Sequence, residues 1–146
     1  MFRGHFDHTI DPKGRLSIPA NFREALADGL GDKLVIVPHD DTLDVHPLKL
    51  WQELEQRVSA LPRLDPDKRR FRHAYLSRGL DVTLDPQGRI QIAQKYREKA
   101  GLVKDVVIIG MTDYFEVWDA ERWSHHERVE TGTLDELHEK LAAKGV

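Results

Sequence analysis

The chain has 146 residues, of which 40% are hydrophobic and 32% charged, a composition typical of a globular domain with a charge-rich surface. It lacks an apolar run of membrane-spanning length, an apolar leader and any cysteine, so we expect a cytoplasmic protein without disulfides or thiolate zinc sites. The net charge of -3 argues against a generic nucleic-acid binder, which would be basic.

The charge is unevenly distributed along the chain. Residues 62–79 carry six basic and two acidic side chains, a net charge of +4. Residues 113–146 carry four basic and nine acidic side chains, a net charge of -5. Such a distribution can leave a positive face on an acidic protein, so specific contact with nucleic acid is not excluded.

The first half of the chain predicts short strands, a tight turn and one helix. Pro19 suits the first position of a helix, and Gly29 and Gly31 suit its end. The continuous apolar run Leu34–Val37 indicates a strand that is covered on both faces. In chain order the prediction is a strand at 6–10, a turn at 11–14, a strand at 15–18, a helix from 19, and strands at 34–37 and 43–46.

The second half repeats this order after a helical connector. Apolar residues at helical spacing predict an amphipathic helix at 48–61, and Asp65 followed by Pro66 predicts the start of another. Strands at 80–84 and 89–92, a helix ending near 100, strands at 106–109 and 114–118, and a helix around Trp123 follow. A last apolar stripe, Leu134, Leu137 and Leu141, has no counterpart in the first half.

One motif occurs twice, 74 residues apart: Asp11-Pro12-Lys13-Gly14-Arg15 and Asp85-Pro86-Gln87-Gly88-Arg89. Proline at the second turn position and glycine at the fourth are typical of a tight turn. The flanking residues also match, including Phe22-Arg23-Glu24 with Tyr96-Arg97-Glu98. The chain is therefore predicted to use one structural unit twice, with a basic side chain beside each turn.

The start Met1-Phe2-Arg3-Gly4, the two Asp-x-x-Gly-Arg motifs, and Ile18-Pro19 leading into Arg23-Glu24 resemble the MraZ family of bacterial transcription regulators. The resemblance implies an α+β fold in which two tandem βαββ AbrB-like swapped-hairpin units interlock into one pseudo-two-fold barrel, with connecting and C-terminal helices. It implies an AbrB-like module at 5–51, a helical connector at 52–77, a second module at 78–123 and a C-terminal helical tail at 124–146.

The same resemblance implies a sequence-specific DNA-binding regulator. It would act on repeats in the promoter of the division and cell-wall gene cluster that includes its own gene. It would form a ring-shaped homo-oligomer and be associated with the nucleoid. The DNA-binding residues implied are Arg3, Lys13, Arg15 and Arg89, and the turn-forming residues are Asp11, Gly14, Asp85 and Gly88. The second motif departs from the first because Gln87 replaces the lysine, so we expect a weaker contribution from it.

Several other interpretations of these residues compete. In the first, Arg15 and Arg89 have no role beyond bracing their turns against Asp11 and Asp85. The basic tract 68–72 is interpreted first as a solvated helix face and second as a supplementary phosphate contact. An AbrB-like antitoxin, with the tail binding a toxin, is the alternative function, and a purely structural ring or scaffold is the third.

Catalysis and metal binding are not expected. An aspartic-protease dyad needs one protonated carboxyl group, whereas an arginine four residues after each aspartate favours the ionised form. The eight histidines show no two-histidine-plus-carboxylate pattern at a known spacing. We therefore predict no enzyme, no cofactor, no metal, no small-molecule ligand and no membrane partner.

Overall fold

The computed structural model describes residues 1–130 and 132–146, and the predicted tail therefore includes one residue, 131, outside the described part. The strands are β1 (His5–Thr9), β2 (Arg15–Ser17), β3 (Lys33–His39), β4 (Thr42–Pro47), β5 (Leu80–Thr83), β6 (Arg89–Gln91), β7 (Asp105–Gly110) and β8 (Phe115–Asp119). The helices are α1 (Ala20–Ala27), α2 (Leu48–Ser59), α3 (Pro66–Ala74), α4 (Gln94–Lys99), α5 (Ala120–Glu130) and α6 (Leu134–Ala142), with a 3₁₀ turn at Leu76–Arg78.

The α+β class is confirmed, but the strands do not close into a barrel. Six strands form an antiparallel sheet in the order β1-β7-β8-β4-β3-β5, and β2 pairs with β6 in a separate two-stranded ribbon. Within the described residues the large sheet is open, with β1 and β5 at its edges. The predicted closed barrel is therefore not found, because its strands divide between a sheet and a ribbon that pack face to face.

Strands from the two halves of the chain are exchanged in this sheet. The first strand of the first half, β1, pairs with β7, and the first strand of the second half, β5, pairs with β3. The centre of the sheet is the pairing of β4 with β8. Each half of the sheet therefore contains strands from both halves of the sequence.

The main core lies between one face of the sheet and the ribbon with helices α1 and α4. Its centre is aromatic: the rings of Phe2, Phe22 and Phe115 lie with their centroids 5.1 to 5.4 Å apart. Leu16 of β2 and Ile90 of β6 close the core from the ribbon side and are completely or almost completely buried. Replacing one such buried phenylalanine by alanine typically costs about 3–5 kcal/mol, so this cluster holds the ribbon and the sheet together.

The other face of the sheet is covered by helices, as the continuous apolar strands predict. Alternate residues of β3, Val35 and Val37, pack on Trp51 of α2. Alternate residues of β7 pack with Trp118 beside Trp123 of α5. Because strand side chains alternate between faces, these two strands need apolar residues at every position.

Helices α2 and α3 lie in the predicted connector region, and α5 and α6 in the predicted tail region. Asp65 caps α3 by accepting from the backbone N–H groups of Asp67 and Lys68 at 2.8 and 3.3 Å, as its position before Pro66 predicts. The stripe Leu134, Leu137 and Leu141 lies on α6 and is 66%, 42% and 42% exposed. No helix in the described residues is long and apolar enough to cross a bilayer.

Candidate nucleic-acid interface

The first duplicated turn is organised by the carboxylate of Asp11. Its Oδ1 accepts from the backbone N–H groups of Lys13 and Arg15 at 2.9 Å each, and its Oδ2 accepts from Arg15 Nε at 2.6 Å. The Gly14 N–H donates to the Asp11 carbonyl at 2.9 Å, and Gly14 has a φ of +81°, a conformation that favours glycine. The aspartate and the glycine therefore define this turn.

The second turn has the same hydrogen bonds. Asp85 Oδ1 accepts from the N–H groups of Gln87 and Arg89 at 2.9 Å each, and Oδ2 accepts from Arg89 Nε at 3.1 Å. Gly88 has a φ of +77° and donates to the Asp85 carbonyl at 2.9 Å. Changing lysine to glutamine between the two motifs leaves this geometry intact, because the residue at that position contributes only its backbone.

Both turn aspartates are stabilised as carboxylates. The backbone N–H of Arg15 is the main cause that lowers the pKa of Asp11, and the guanidinium of Arg15 lowers it further. The backbone N–H of Arg89 lowers the pKa of Asp85 in the same way. At neutral pH each turn therefore presents an ionised aspartate paired with an arginine.

The ribbon places the two turns side by side. In the β2–β6 register Arg15 lies opposite Gln91, and Ser17 lies opposite Arg89. The middle residues of both strands are buried, so these four side chains share the outer face. From this register the Cα atoms of the two arginines are separated by roughly 8 Å, two residues along the strand and one strand across.

Two further arginines, which the sequence interpretation left out of the site, pack over the turns. Arg97 of α4 donates from Nε to the Ile92 carbonyl at 3.0 Å, and a Cβ at Gly14 would lie 2.7 Å from that Nε. Arg23 of α1 donates from Nε to the Ile18 carbonyl at 3.1 Å, and a Cβ at Gly88 would lie 2.6 Å from its Cδ. Each arginine covers the turn of the other half, and the repeated Phe/Tyr-Arg-Glu triplet was the signal that could have found them.

Lys13 and Gln91 complete the local surface. Both side chains are exposed, and Gln91 Nε2 donates to the Lys13 carbonyl at 3.1 Å across the ribbon. The Lys13 ammonium has no ion-pair or hydrogen-bond partner within the described part of the chain. The structure thus brings Lys13, Arg15 and Arg89 onto one basic surface, together with Arg23 and Arg97; we call these five residues the ribbon face.

Arg3 lies apart from the ribbon face. Its neighbour Phe2 pairs with Thr112 at the tip of the β7–β8 hairpin, whereas the first turn follows the opposite end of β1. A five-residue strand spans about 14 Å between its first and last Cα atoms, which separates Arg3 from Arg15 by more than a side-chain length. The role of Arg3 in DNA binding stays a prediction, and any contact it makes belongs to a different part of the surface.

The basic tract on α3 is partly structural. Lys68 is 9% exposed, and its ammonium donates to the carbonyls of Ser59 and Leu61 at 3.1 and 3.0 Å. These carbonyls lie at the C-terminal end of α2, where a positive charge is favourable. Lys68 therefore joins the two connector helices and is withdrawn from any phosphate contact.

Comparison with known proteins gives one consistent result. The chain matches the family described as "MraZ protein, putative antitoxin-like" over residues 1–74 and 76–139. The transcriptional regulator MraZ of Acetivibrio thermocellus is 40% identical over 147 aligned positions, covering 100% of both chains. The proteins of the same name from Moorella thermoacetica and Herpetosiphon aurantiacus are each 41% identical, covering 97% and 84% of this chain and 96% and 84% of their own.

Proposed function

The chain belongs to the MraZ family, and from this premise we propose that it is a sequence-specific DNA-binding transcription regulator that contacts DNA with the ribbon face. The relatives are named transcriptional regulators, and regulation of transcription commonly requires contact with DNA. The observation that carries the proposal is the pair of identical aspartate–arginine turns, placed next to each other by the β2–β6 ribbon.

The turn geometry combines bracing and recognition in one side chain. Each aspartate accepts a hydrogen bond from the Nε of its arginine. The terminal nitrogens of both guanidinium groups make no hydrogen bond within the described residues. These two nitrogens form the planar fork that suits a phosphate or a guanine edge. The aspartate therefore orients the arginine and leaves its binding end available.

The dimensions and charge of the ribbon face also support DNA as the ligand. A two-stranded ribbon fits the major groove of B-DNA, and arginines about 8 Å apart on its outer face can contact neighbouring backbone or base positions. Gln91, opposite Arg15, supplies the side-chain amide that commonly pairs with adenine. The five basic side chains of the ribbon face outnumber the two turn aspartates, so this surface is locally positive although the whole chain has a net charge of -3.

We further propose the target and the assembly that family membership implies. The protein would bind repeats in the promoter of the division and cell-wall gene cluster that includes its own gene, and would act in the cytoplasm at the nucleoid. It would do so as a ring-shaped homo-oligomer, in which one ribbon face per subunit becomes a row of binding surfaces. Such repetition raises avidity without new contacts.

The exposed apolar side chains support assembly. Leu64 and Phe71 on the connector are 91% and 38% exposed, and the α6 stripe is exposed along its length. We expect neighbouring subunits to cover these residues, and light scattering at micromolar concentration should therefore give the mass of an oligomer. A monomeric mass would remove the ring and the avidity that depends on it.

The central test is binding to the DNA upstream of the protein's own gene, measured by fluorescence anisotropy over a range of salt concentrations. If several arginines neutralise phosphates, log affinity should fall with log salt by about 0.9 for each phosphate contacted. A matched scrambled duplex is the control for sequence specificity. Equal affinity for both duplexes, or an affinity independent of salt, would contradict the proposal.

The α6 stripe favours one alternative function. An antitoxin would use an exposed apolar helix to bind a toxin, and the description of the matching family includes the word antitoxin. Deletion of residues 132–146 distinguishes the two functions. Both should keep their DNA affinity per ribbon face, so the distinguishing measurement is co-purification of a protein partner with the full chain and with the deletion variant. An antitoxin should capture a partner that the deletion variant does not, whereas a regulator without a toxin should show no such difference.

A further inference from the structure

Three potential metal ligands converge at the centre of the large sheet, far from the ribbon face in the fold. Asp44 of β4 and Glu116 of β8 are register partners in the pairing that joins the two halves of the sheet. His39, the last residue of β3, places Nδ1 3.1 Å from Asp44 Oδ2. One ligand atom from each of these three side chains lies within 4.8 Å of the other two.

These side chains lie on the helix-covered face of the sheet. The neighbours of Asp44 and Glu116 along their strands, Leu43, Val45 and Val117, point into the main core on the other face. The carboxylates therefore occupy the gap between the Trp51 cluster under α2 and the Trp118–Trp123 cluster under α5. This position lies between the two halves, which explains why the linear spacing of the ligands shows no metal motif.

Asp44 is an unusual residue for such a place. It is 1% exposed, and its Oδ2 accepts hydrogen bonds from Tyr75 OH at 2.5 Å and from His39 Nδ1 at 3.1 Å. Its Oδ1 is buried and accepts no hydrogen bond from any described group of the protein. A buried carboxylate oxygen without a partner is costly, and it points to a ligand that the protein chain itself does not supply.

The repulsion between the carboxylates of Asp44 and Glu116 also favours a bound cation. Two carboxylates directly opposite each other on neighbouring strands repel. A bound cation would remove both the repulsion and the cost of burial.

We propose that His39, Asp44 and Glu116 form a binding site for a divalent first-row transition-metal ion. The ligand atoms would be the unpartnered Oδ1 of Asp44, a carboxylate oxygen of Glu116 and Nδ1 of His39. On binding the ion, Nδ1 would lose its proton and exchange its hydrogen bond to Asp44 Oδ2 for the metal. Metal–ligand bonds of about 2.0–2.2 Å place ligand atoms roughly 3.0–4.2 Å apart. One ligand atom of each side chain already lies within 4.8 Å of the other two, and His39, whose side chain is 52% exposed, has room to move towards the buried Asp44.

The ligands have the outer partners that metal sites commonly show. Tyr75 holds Oδ2 of Asp44, and Trp118 Nε1 donates to Glu116 Oε1 at 2.9 Å, which leaves Oε2 for the ion. Asp40 places Oδ2 3.9 Å from Nε2 of His39, the ring nitrogen that would not bind metal. The hydrogen bonds from Tyr75 and Trp118 orient the two carboxylate ligands.

An open side allows the ion to enter. A cavity of about 530 Å³ is lined by His39 and Glu116, with Met111, Trp123 and His126 among its other walls. One imidazole and two carboxylates suit Zn²⁺ or Mn²⁺ better than Mg²⁺, which prefers oxygen ligands and retains its water. The bound ion would connect β4 with β8, and would thereby stabilise the junction between the two halves independently of DNA.

The test is isothermal titration of the full-length protein with ZnCl₂, and with MgCl₂ under the same conditions. We expect saturable binding of one Zn²⁺ per chain and at least tenfold weaker binding of Mg²⁺. His39→Ala and Glu116→Gln should each weaken Zn²⁺ binding at least tenfold. Glu116→Gln keeps an oxygen for the Trp118 hydrogen bond, so its effect reports the removal of the negative charge while that hydrogen bond remains.

His138→Ala is the matched control, because His138 is an exposed histidine on α6 and should not affect binding. Thermal unfolding is the second measurement: Zn²⁺ at a hundredfold excess over its Kd should raise the Tm of wild type by about 5–10 °C, but not that of His39→Ala. Absence of saturable Zn²⁺ binding, equal binding of Mg²⁺, unchanged binding by both ligand variants, or loss of binding in His138→Ala would each overturn the proposal.

Discussion

The two Asp-Pro-x-Gly-Arg turns are the same structure with different chemistry. In both, one carboxylate accepts two backbone N–H groups at 2.9 Å and one arginine Nε. Their glycines have φ values of +81° and +77°. They differ at the third position, where the first turn carries Lys13 and the second carries Gln87, and in the length of the arginine hydrogen bond, 2.6 against 3.1 Å.

This difference separates what the fold needs from what DNA binding needs. The aspartate and glycine recur because the turn cannot form without their side-chain acceptor and positive φ. The third residue contributes only backbone to the turn, so it is free to vary in charge. We infer that the two turns are equivalent in their own hydrogen bonds, and unequal in the groups packed on their glycines and in their affinity for DNA. Each prediction below tests one part of that statement.

The largest expected effect concerns the two glycines. A Cβ at Gly14 would lie 2.8 Å from the backbone carbonyl of Ile92, whereas the close approaches at Gly88 are all with the flexible Arg23 side chain. Both substitutions to alanine place a side chain at positive φ, which costs about 1–2 kcal/mol. Gly14→Ala should lower the free energy of unfolding by about 2–4 kcal/mol, and Gly88→Ala by less, in urea denaturation. Equal losses of unfolding free energy would show that the different groups packed on Gly14 and Gly88 do not affect the cost of the substitution.

The second prediction compares the two arginines in DNA affinity. Arg15→Ala should weaken binding to the upstream DNA by about 1–3 kcal/mol for each base edge that the guanidinium recognises, with repetition around an oligomer adding to the effect. Arg89→Ala should weaken it less, because its turn lacks the neighbouring lysine. Fluorescence anisotropy at fixed salt measures both.

The control for these two arginine variants is a measurement of their stability and oligomer mass. Both variants should unfold at nearly the same urea concentration and keep the oligomer mass of wild type, because the same partly exposed ion pair is removed in each. If both variants bind DNA as wild type does, the duplicated arginines only brace their turns. If Arg89→Ala has the larger effect, the assigned order of the two turns is reversed.

Exchanging the third residues of the two turns should change the salt dependence of DNA binding. The change in affinity should be smaller than that caused by the arginine substitutions. Lys13→Gln should reduce the slope of log affinity against log salt by about 0.9 per subunit in contact with DNA, and Gln87→Lys should increase it. The double exchange should restore the wild-type slope if the two positions are equivalent on DNA. A slope that stays reduced in the double variant would show that only the first turn approaches phosphate.

The smallest expected effect is a pH dependence that the two turns share. The pKa of Asp11 and that of Asp85 are both lowered below 3.8, mainly by backbone N–H groups. A lowered pKa in the folded state means that the stabilisation is present above the ordinary aspartate pKa and is lost as the pH falls through the folded value. NMR titration of the two carboxyl carbons should give pKa values below the ordinary range and close to each other. A clear difference between the two pKa values would show that the unequal DNA affinity arises from the turns themselves and not from Lys13.

Local sequence patterns predicted the elements of this fold well. The turn at Asp11, the strand at Leu34–Val37 and the cap at Asp65 each follow from residues within a few positions of one another. These features depend on backbone preference and on one side-chain acceptor, so they can be recognised in a linear pattern.

Contacts between the halves could not be predicted in the same way. Arg97 covers Gly14, and Asp44 faces Glu116, because strands of the two halves pair with each other, β2 with β6 and β4 with β8. Arg3 is only eight residues from Asp11, yet β1 carries it to the opposite end of the sheet. Long-range pairing determines the positions of Arg97 and Asp44, whereas the distance of Arg3 from the turn follows from the extended strand between them and could have been inferred from the predicted strand at 6–10.

The pairing of β1 with β7 has a consequence for synthesis of the protein. His5 lies opposite Ile109, so the first strand leaves the ribosome about a hundred residues before its partner. At about 5–20 residues per second this delay is on the order of 5–20 s. During it the nascent chain exposes the apolar side chains of Phe2 and Phe22, which are completely buried only when Phe115 joins them. The time needed to synthesise β2 to β7 therefore sets how long the first strand waits for its partner.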